Sequence, residues 1–432
     1  MRGSIGRTIM VAAGLAACLC APVQAAEKAK QRAVKPYPHY WMSIATSNQG
    51  IPGMGGEMAG MAALFGGRGP AFGPRRDLQL QLESPRPLPA EPEALHGIPP
   101  GQNMGASLVL ATPPEPEKRE QAPTAEQGTP EAGTYEKPKA RMLIYWGCGE
   151  TVGKGQPRVI DTATMSPAEF GKALAGRTPT HQTPPRPHKG WVYADWPNPK
   201  DRKDIPRDSS LVGEHLIQGN YVPDIRFSLD QKRDFMAPVE FTTVEARPGG
   251  AMKVEWKAIP TAIGYFATVM AHDEKSGDTI IWTTSEVPET GFALMDYLTP
   301  GDVSRFIRDK VVMEPARTSC TVPPVFTGAA GAMLRFVAYG EELNLIHPPK
   351  PKDPRQPWEP QWSVKARLKS TGMTPLMASG EGGAKKARKP ALSRQPDQKA
   401  GEEDEGRSDT GDSESGKPKG GVGERLRGLF GF

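Results

Sequence analysis

Cysteine, methionine, histidine and tryptophan are the residue types through which this 432-residue chain could do chemistry, and their spacing limits what that chemistry can be. Of the 4 Cys, Cys18 and Cys20 fall in an N-terminal apolar run, which leaves Cys148 and Cys320 in the body of the chain. In an oxidising compartment that pair can bridge. Equally, two separate buried thiols would serve as small apolar residues, because sequence spacing fixes no distance between them. A C-x-x-C redox or zinc arrangement is absent from the sequence. Met54, Met58, Met61 and Leu64 stand at helical spacing, which fits a copper(I) thioether site or a small-residue helix packed on a partner or a membrane surface. No Cys or His accompanies them, and each Gly in the run costs a helix about 1 kcal/mol, so a weakly amphipathic segment docked on its own protein is expected instead. His181 and His188 sit in a Pro-rich loop with no third ligand at metal spacing. Neither a metal nor another cofactor is therefore expected.

Residues 149–154, GETVGK, have the look of a phosphate loop, but the spacing is one residue short and Gly155 stands where a Ser or Thr would hold magnesium. A hairpin turn is the expected reading. The sequence contains no G-x-S-x-G, no H-E-x-x-H and no carboxylate pair in a pattern that reveals general acid and base. An exported hydrolase without a recognisable motif is kept as an alternative to a non-enzymatic protein. A glycan-binding module is a third possibility, resting on Trp191, Tyr193 and Trp196 as a stacking platform, although aromatics in alternating strands more often belong to a core.

The elements that position these residues begin with an address. Arg2 and Arg7 form a basic region, Ile9 to Leu19 an apolar run, and Val23-Gln24-Ala25 a small-residue cleavage site, so residues 1–25 read as a secretory signal peptide. The run is shorter than the roughly 20 residues a spanning helix needs. Leu15-Ala16-Ala17-Cys18 resembles the bacterial lipobox, which makes Cys18 a possible lipidation site and a lipid-anchored form an alternative to a soluble exported one. Both place the mature protein outside the cytoplasm, in the periplasm or secreted. Lys and Arg are scattered, with a formal charge of +5, so no nucleic acid is implied, and membrane contact is expected only through lipid or a partner.

With 48 Gly, 46 Pro and 7% aromatics, much of the chain cannot bury a core. Residues 26–75 read as a Gly/Met-rich N-terminal segment. A first β-rich unit is expected over 76–236, opening on the alternation of Leu78, Leu80 and Leu82 and interrupted by a disordered insert at 112–139. Met165-Ser166-Pro167-Ala168-Glu169-Phe170 carries a capping box and a hydrophobic staple, and Leu298-Thr299-Pro300-Gly301-Asp302-Val303 repeats the design with Asp302 for the Glu. Each β-rich unit should thus carry one short helical insertion, and whether the units are true repeats is open. Met333 to Tyr339 and Leu343 to Ile346 read as a hairpin about a Gly340-Glu341-Glu342 turn. Residues 349–369 read as a strap and 370–432 as a disordered tail. Its end places Leu426, Leu429 and Phe430 on one helical face, a possible docking segment for a groove on a partner.

Ala251 to Ala271 is the most structured stretch. Val254 and Trp256 alternate with polar residues, and after a short turn Ala262, Gly264, Tyr265 and Val269 begin a second strand around the buried Trp. That order resembles part of a fibronectin type III-like sandwich over about 239–348, which implies a β-sandwich scaffold there and names no activity. The expected fold is mainly β, with two β-sandwich-like units and long disordered segments. The expected role is that of a non-enzymatic envelope protein that binds another envelope protein or a cell-wall component.

Overall fold

The structure, a computed structural model, describes residues 34–49, 73–113, 141–327, 329–353 and 355–376. The expected signal peptide with Cys18, the Met-rich run, most of the 112–139 insert, and the segment with Leu426, Leu429 and Phe430 lie outside the described residues. Short apolar or alternating runs form the strands, in chain order β1 (His39–Gln49), β2 (Gly73–Ser84), β3 (Ala94–Gly97), β4 (Ser107–Leu110), β5 (Arg141–Trp146), β6 (Arg158–Asp161), β7 (Val192–Trp196), β8 (Gly213–Gly219), β9 (Ile225–Leu229), β10 (Phe241–Ala246), β11 (Met252–Trp256), β12 (Gly264–His272), β13 (Thr279–Thr283), β14 (Ser319–Val322), β15 (Ala330–His347) and β16 (Trp362–Pro375). The protein is mainly β, with helices α1 (Pro167–Leu174) and α2 (Pro300–Arg308) among the described residues.

Nine strands make one sheet in the order β6-β5-β13-β12-β15-β16-β1-β2-β7, and two smaller sheets run β4-β3-β8-β9 and β10-β11-β14. The small sheets cover one face of the large one. Tyr40 of β1 meets His96 of β3 and Phe227 of β9, with ring centroids 5.5 and 6.1 Å apart. Trp256 of β11 meets Phe336 of β15 at 4.8 Å and Tyr265 of β12 at 5.9 Å. A single buried cluster joins these contacts, with Met42, Ile44, Leu80, Leu82, Val364 and Leu368 in its middle. The layering is sandwich-like, and the alternation at Leu78, Leu80 and Leu82 buries all three as expected.

The two units expected at 76–236 and 239–348 share that large sheet rather than standing apart. Strands β2, β5, β6 and β7 come from the first, and β12, β13 and β15 from the second. Within the sheet, β1 pairs in parallel with β16, His39 opposite Ser363 through Gln49 opposite Met373, which draws His39–Gln49 of the N-terminal segment and the end of the expected strap into the core. The strand also carries past the expected tail boundary at 370 as far as Pro375. Pairing between strands so far apart leaves no local sequence signal, because each edge reads the same whoever its neighbour is.

The expected hairpin at Gly340 is a second correction. Residues Ala330–His347 form one long strand, with a bulge between Tyr339 and Glu342 where the register to β16 shifts. Gly340 is required there for closeness and not for turning, since a Cβ on it would lie 2.7 Å from Met236 Sδ and 2.8 Å from Leu368 Cβ.

Both helices start at their expected N-caps, but only the first closes a capping box. Ser166 Oγ accepts from the Glu169 amide and Glu169 Oε2 accepts from the Ser166 amide. Thr299 Oγ1 accepts from the Asp302 amide at 3.0 Å and donates to Asp302 Oδ2 at 2.9 Å. Phe170 and Leu174 of α1 pack on Ile144 and Ile281, and Val303 and Phe306 of α2 on Phe266, Val337 and Tyr339. These residues lie on the face of the large sheet opposite the small sheets. Helices therefore cover that face from β5 to β15 and leave β16, β1 and β2 to polar residues.

Candidate functional site

The part of the outer face beyond the helices is built by alternation. On β16, Val364, Ala366 and Leu368 enter the core, so Lys365, Arg367 and Lys369 stand on the other side. Trp41 is the register partner of Lys365, and Ser43 that of Arg367. Beyond them β2 contributes Gln79 and Gln81, and β15 contributes Glu342 opposite Arg367 and Asn344 opposite Lys365.

Arg367 is the centre of this face. Its Nε donates to Ser43 Oγ at 2.9 Å, and its guanidinium carbon lies 4.2 Å from the Tyr297 ring centre and 5.4 Å from that of Trp41. The residue is 8% exposed, and burial lowers its pKa from the ordinary arginine value while Tyr297, Asp296 and Glu342 oppose that effect. Burial likewise pushes the Tyr297 hydroxyl upward. The flanking lysines are paired: Lys365 Nζ donates to Glu342 Oε2 at 2.8 Å and to Asn344 Oδ1 at 3.0 Å, and Lys369 Nζ to Asp296 Oδ1 at 2.7 Å. Burial works to raise the Asp296 pKa, but Lys369 outweighs it and holds the carboxyl below its usual value. Among the described residues no carboxylate lies within 4.0 Å of the Arg367 guanidinium.

A strap that follows α1 is tied down beside this face. Asp302, 3% exposed, accepts from the Thr180 amide at 2.8 Å and from Arg305 at 2.5 Å, and Glu289 Oε2 accepts from the Arg177 amide at 2.9 Å. Burial acts to raise the Asp302 pKa, yet the Thr180 and Thr299 donors and Arg305 keep it low. Gly176 lets the strap pass, since a Cβ there would lie 1.9 Å from Glu289 Oε1. Farther along, Gln81 Nε2 donates to the Pro185 carbonyl at 3.2 Å and His188 Nε2 lies 3.4 Å from Glu83. The strap thereby runs from α2 to β2.

A second polar cluster lies inside the core. Tyr40 Oη and His96 Nδ1 are 2.9 Å apart, His96 Nε2 and His215 Nδ1 2.9 Å, and His215 Nε2 is 2.7 Å from the Leu211 carbonyl. The carbonyl can only accept, so His215 Nε2 carries a proton. With burial favouring the neutral form of both rings, His215 Nδ1 is then the acceptor for His96 Nε2–H, and His96 Nδ1 accepts from the Tyr40 hydroxyl. In that arrangement every donor of the chain meets an acceptor. Burial drives the His96 pKa well below 6.5, with His215 adding to it, and burial lowers that of His215 against the Leu211 carbonyl and Glu214.

Of the residues singled out in the sequence, Cys148 and Cys320 are joined in a disulfide that ties the end of β5 to β14. Residues 149–154 lie in the β5–β6 connection, with Gln156 bonded to both backbone groups of Trp146. His181 bonds to Thr183 and is not brought to His188, and no group of three or more His, Cys, Asp or Glu able to hold a metal occurs among the described residues. Trp191, Tyr193 and Trp196 do not form a platform. Tyr193 and Trp196 are 8% and 2% exposed, because β7 lies at the end of the large sheet with Trp196 turned into the core, and Trp191 stacks on His39. Trp41, Ser43, Tyr297 and Arg367 went unnoticed in the sequence. Their one signal was the alternation of Val364, Ala366 and Leu368 with cations, which marks a strand with a charged face.

No protein-family model matches the sequence, and no curated protein is similar enough to it to count as a relative.

Proposed function

We propose that the protein is an exported, non-enzymatic envelope protein that works by binding, its β scaffold presenting the outer face around Trp41, Arg367 and Tyr297 to an envelope protein or a cell-wall component. The observation that carries this reading is Arg367, a guanidinium fixed by Ser43 and two aromatic rings while both neighbouring carboxylates are held by lysines. A held cation that meets no carboxylate among the described residues costs folding energy and suits a partner that supplies the missing charge. The disulfide between Cys148 and Cys320 supports export, since such bonds persist in oxidising compartments. In this reading the fibronectin type III-like stretch is scaffold, with Trp256 packing β11 against β12 and β15.

Two measurements test it. Fractionation and intact mass should find the chain outside the cytoplasm without residues 1–25; full-length chain in the cytosol overturns export. Photo-crosslinkers at Gln79 and Asn344, both exposed on the face, should capture an envelope component in cells, whereas one at Gln218 on the four-stranded sheet should not. Capture from Gln218 alone, or from none of the three, overturns the binding face.

A further inference from the structure

Counting charge around Arg367 narrows what the face can hold. Lys365, Arg367 and Lys369 supply three positive charges, and Glu342 and Asp296 supply two negative ones. Asp77, which also acts on Tyr297, is already paired with Arg75 at 3.2 Å. The surplus is a single positive charge, and it sits on the most enclosed of the three cations.

The pairing is selective. Glu342 is the register partner of Arg367, yet its Oε2 takes the Lys365 ammonium and its Oε1 is buried without a partner. The carboxylate opposite it in register is thus paired elsewhere. Of the five N–H donors an arginine carries, Nε is spent on Ser43; the two terminal nitrogens meet no acceptor among the described residues and are not among the buried polar atoms sealed from solvent. With Nε bonded to Ser43 and the guanidinium carbon 4.2 Å and 5.4 Å from two ring centres, the fork is held in place before anything binds. A planar pair of parallel donors is the complement of a carboxylate. A phosphate would bring a second negative charge against Glu342 and Asp296, whereas a carboxylate brings one.

We infer that the two terminal nitrogens of Arg367, beside Trp41 and Tyr297, form a binding subsite for a monoanionic carboxylate. This rests on the binding-face reading and names the group that face recognises. Such a carboxylate has two sources in an envelope, the free end of a peptide and an acidic sugar.

The test is titration calorimetry on the full exported chain with four probes: acetyl-alanyl-alanine with a free carboxyl end, the same dipeptide as its amide, glucuronate, and inorganic phosphate. The dipeptide acid or glucuronate should bind saturably, and whichever of the two is tighter identifies the source. The amide should bind at least about tenfold more weakly than the acid, and phosphate more weakly than the better carboxylate. Arg367→Lys should weaken the carboxylate by about tenfold or more, since an ammonium keeps the charge and loses the fork, while Arg226→Lys on the four-stranded sheet should leave it unchanged. Ser43→Ala, which keeps the guanidinium and frees its Nε, should weaken it by about threefold and serves if Arg367→Lys does not fold. Equal binding of acid and amide, tightest binding of phosphate, or undiminished binding by Arg367→Lys and Ser43→Ala would overturn the assignment. Absence of saturable binding by either carboxylate, with capture from Gln79 and Asn344 intact, overturns the subsite and leaves the binding face standing.

Discussion

Lowering the pH from about 7.5 to about 5.5 should destabilise the fold through His96 and His215 together, by at most about 2.7 kcal/mol. In the unfolded chain each imidazole titrates near 6.5 and takes up a proton as the pH falls. In the folded chain both pKa values are depressed by burial, and the donor chain from Tyr40 to the Leu211 carbonyl has no place for another proton. The stability these rings contribute is therefore complete above 6.5 and is lost as the pH drops toward their folded values. The most a ring can lose between the two conditions, reached when it stays neutral throughout in the folded chain, is RT ln 10, about 1.4 kcal/mol. Urea unfolding followed by tryptophan fluorescence at the two pH values measures the loss. His39, also lowered by burial, adds in the same direction, so the decisive comparison is with His215→Gln. The glutamine amide can accept from His96 and donate to Leu211, and the acid-induced loss should shrink, by at most about 1.4 kcal/mol. A wild-type stability flat across this range, or a variant that loses as much as the wild type, would refute the neutral pair.

Other consequences are smaller in scope. Reducing the Cys148–Cys320 bond, whose partners are 172 residues apart in sequence, should lower stability by about 3–5 kcal/mol, read as a fall in melting temperature that Cys320→Ala reproduces. Trp196→Ala should cost about 3–5 kcal/mol as a core truncation, whereas Trp191→Ala should cost under about 1 kcal/mol; the reverse order in thermal melts would reinstate an aromatic surface at β7. Gly176→Ala should displace the strap from Glu289, and limited proteolysis should then cut within residues 176–190 faster than in the parent.

The fold was legible where chemistry is local. Leu78, Leu80 and Leu82 announce a half-buried strand, Ser166 with Glu169 a helix start, and both hold because the groups involved are a few residues apart. Gly340 misled because one residue type serves two ends: Gly can turn a chain, and Gly also vanishes beneath Met236 and Leu368. The pairing of β1 with β16 could not be read, since nothing in His39 to Gln49 specifies a neighbour beyond residue 360. The candidate site was hidden for the same reason. Arg367, Ser43, Trp41 and Tyr297 come from three distant stretches, each unremarkable until the sheet lays them side by side.

The position of β16 also governs when the molecule can be finished. It is the strand that links β15 to β1, and its residues are the last of the sheet to leave the ribosome. Before Trp362 to Pro375 arrive, the sheet is two pieces, β6-β5-β13-β12-β15 and β1-β2-β7, each with an unpaired edge. Contacts of such long sequence separation form late and slowly. A chain emerging from its N-terminus thus stays open until nearly all of the described portion has appeared, and its sheet closes only once β16 is added.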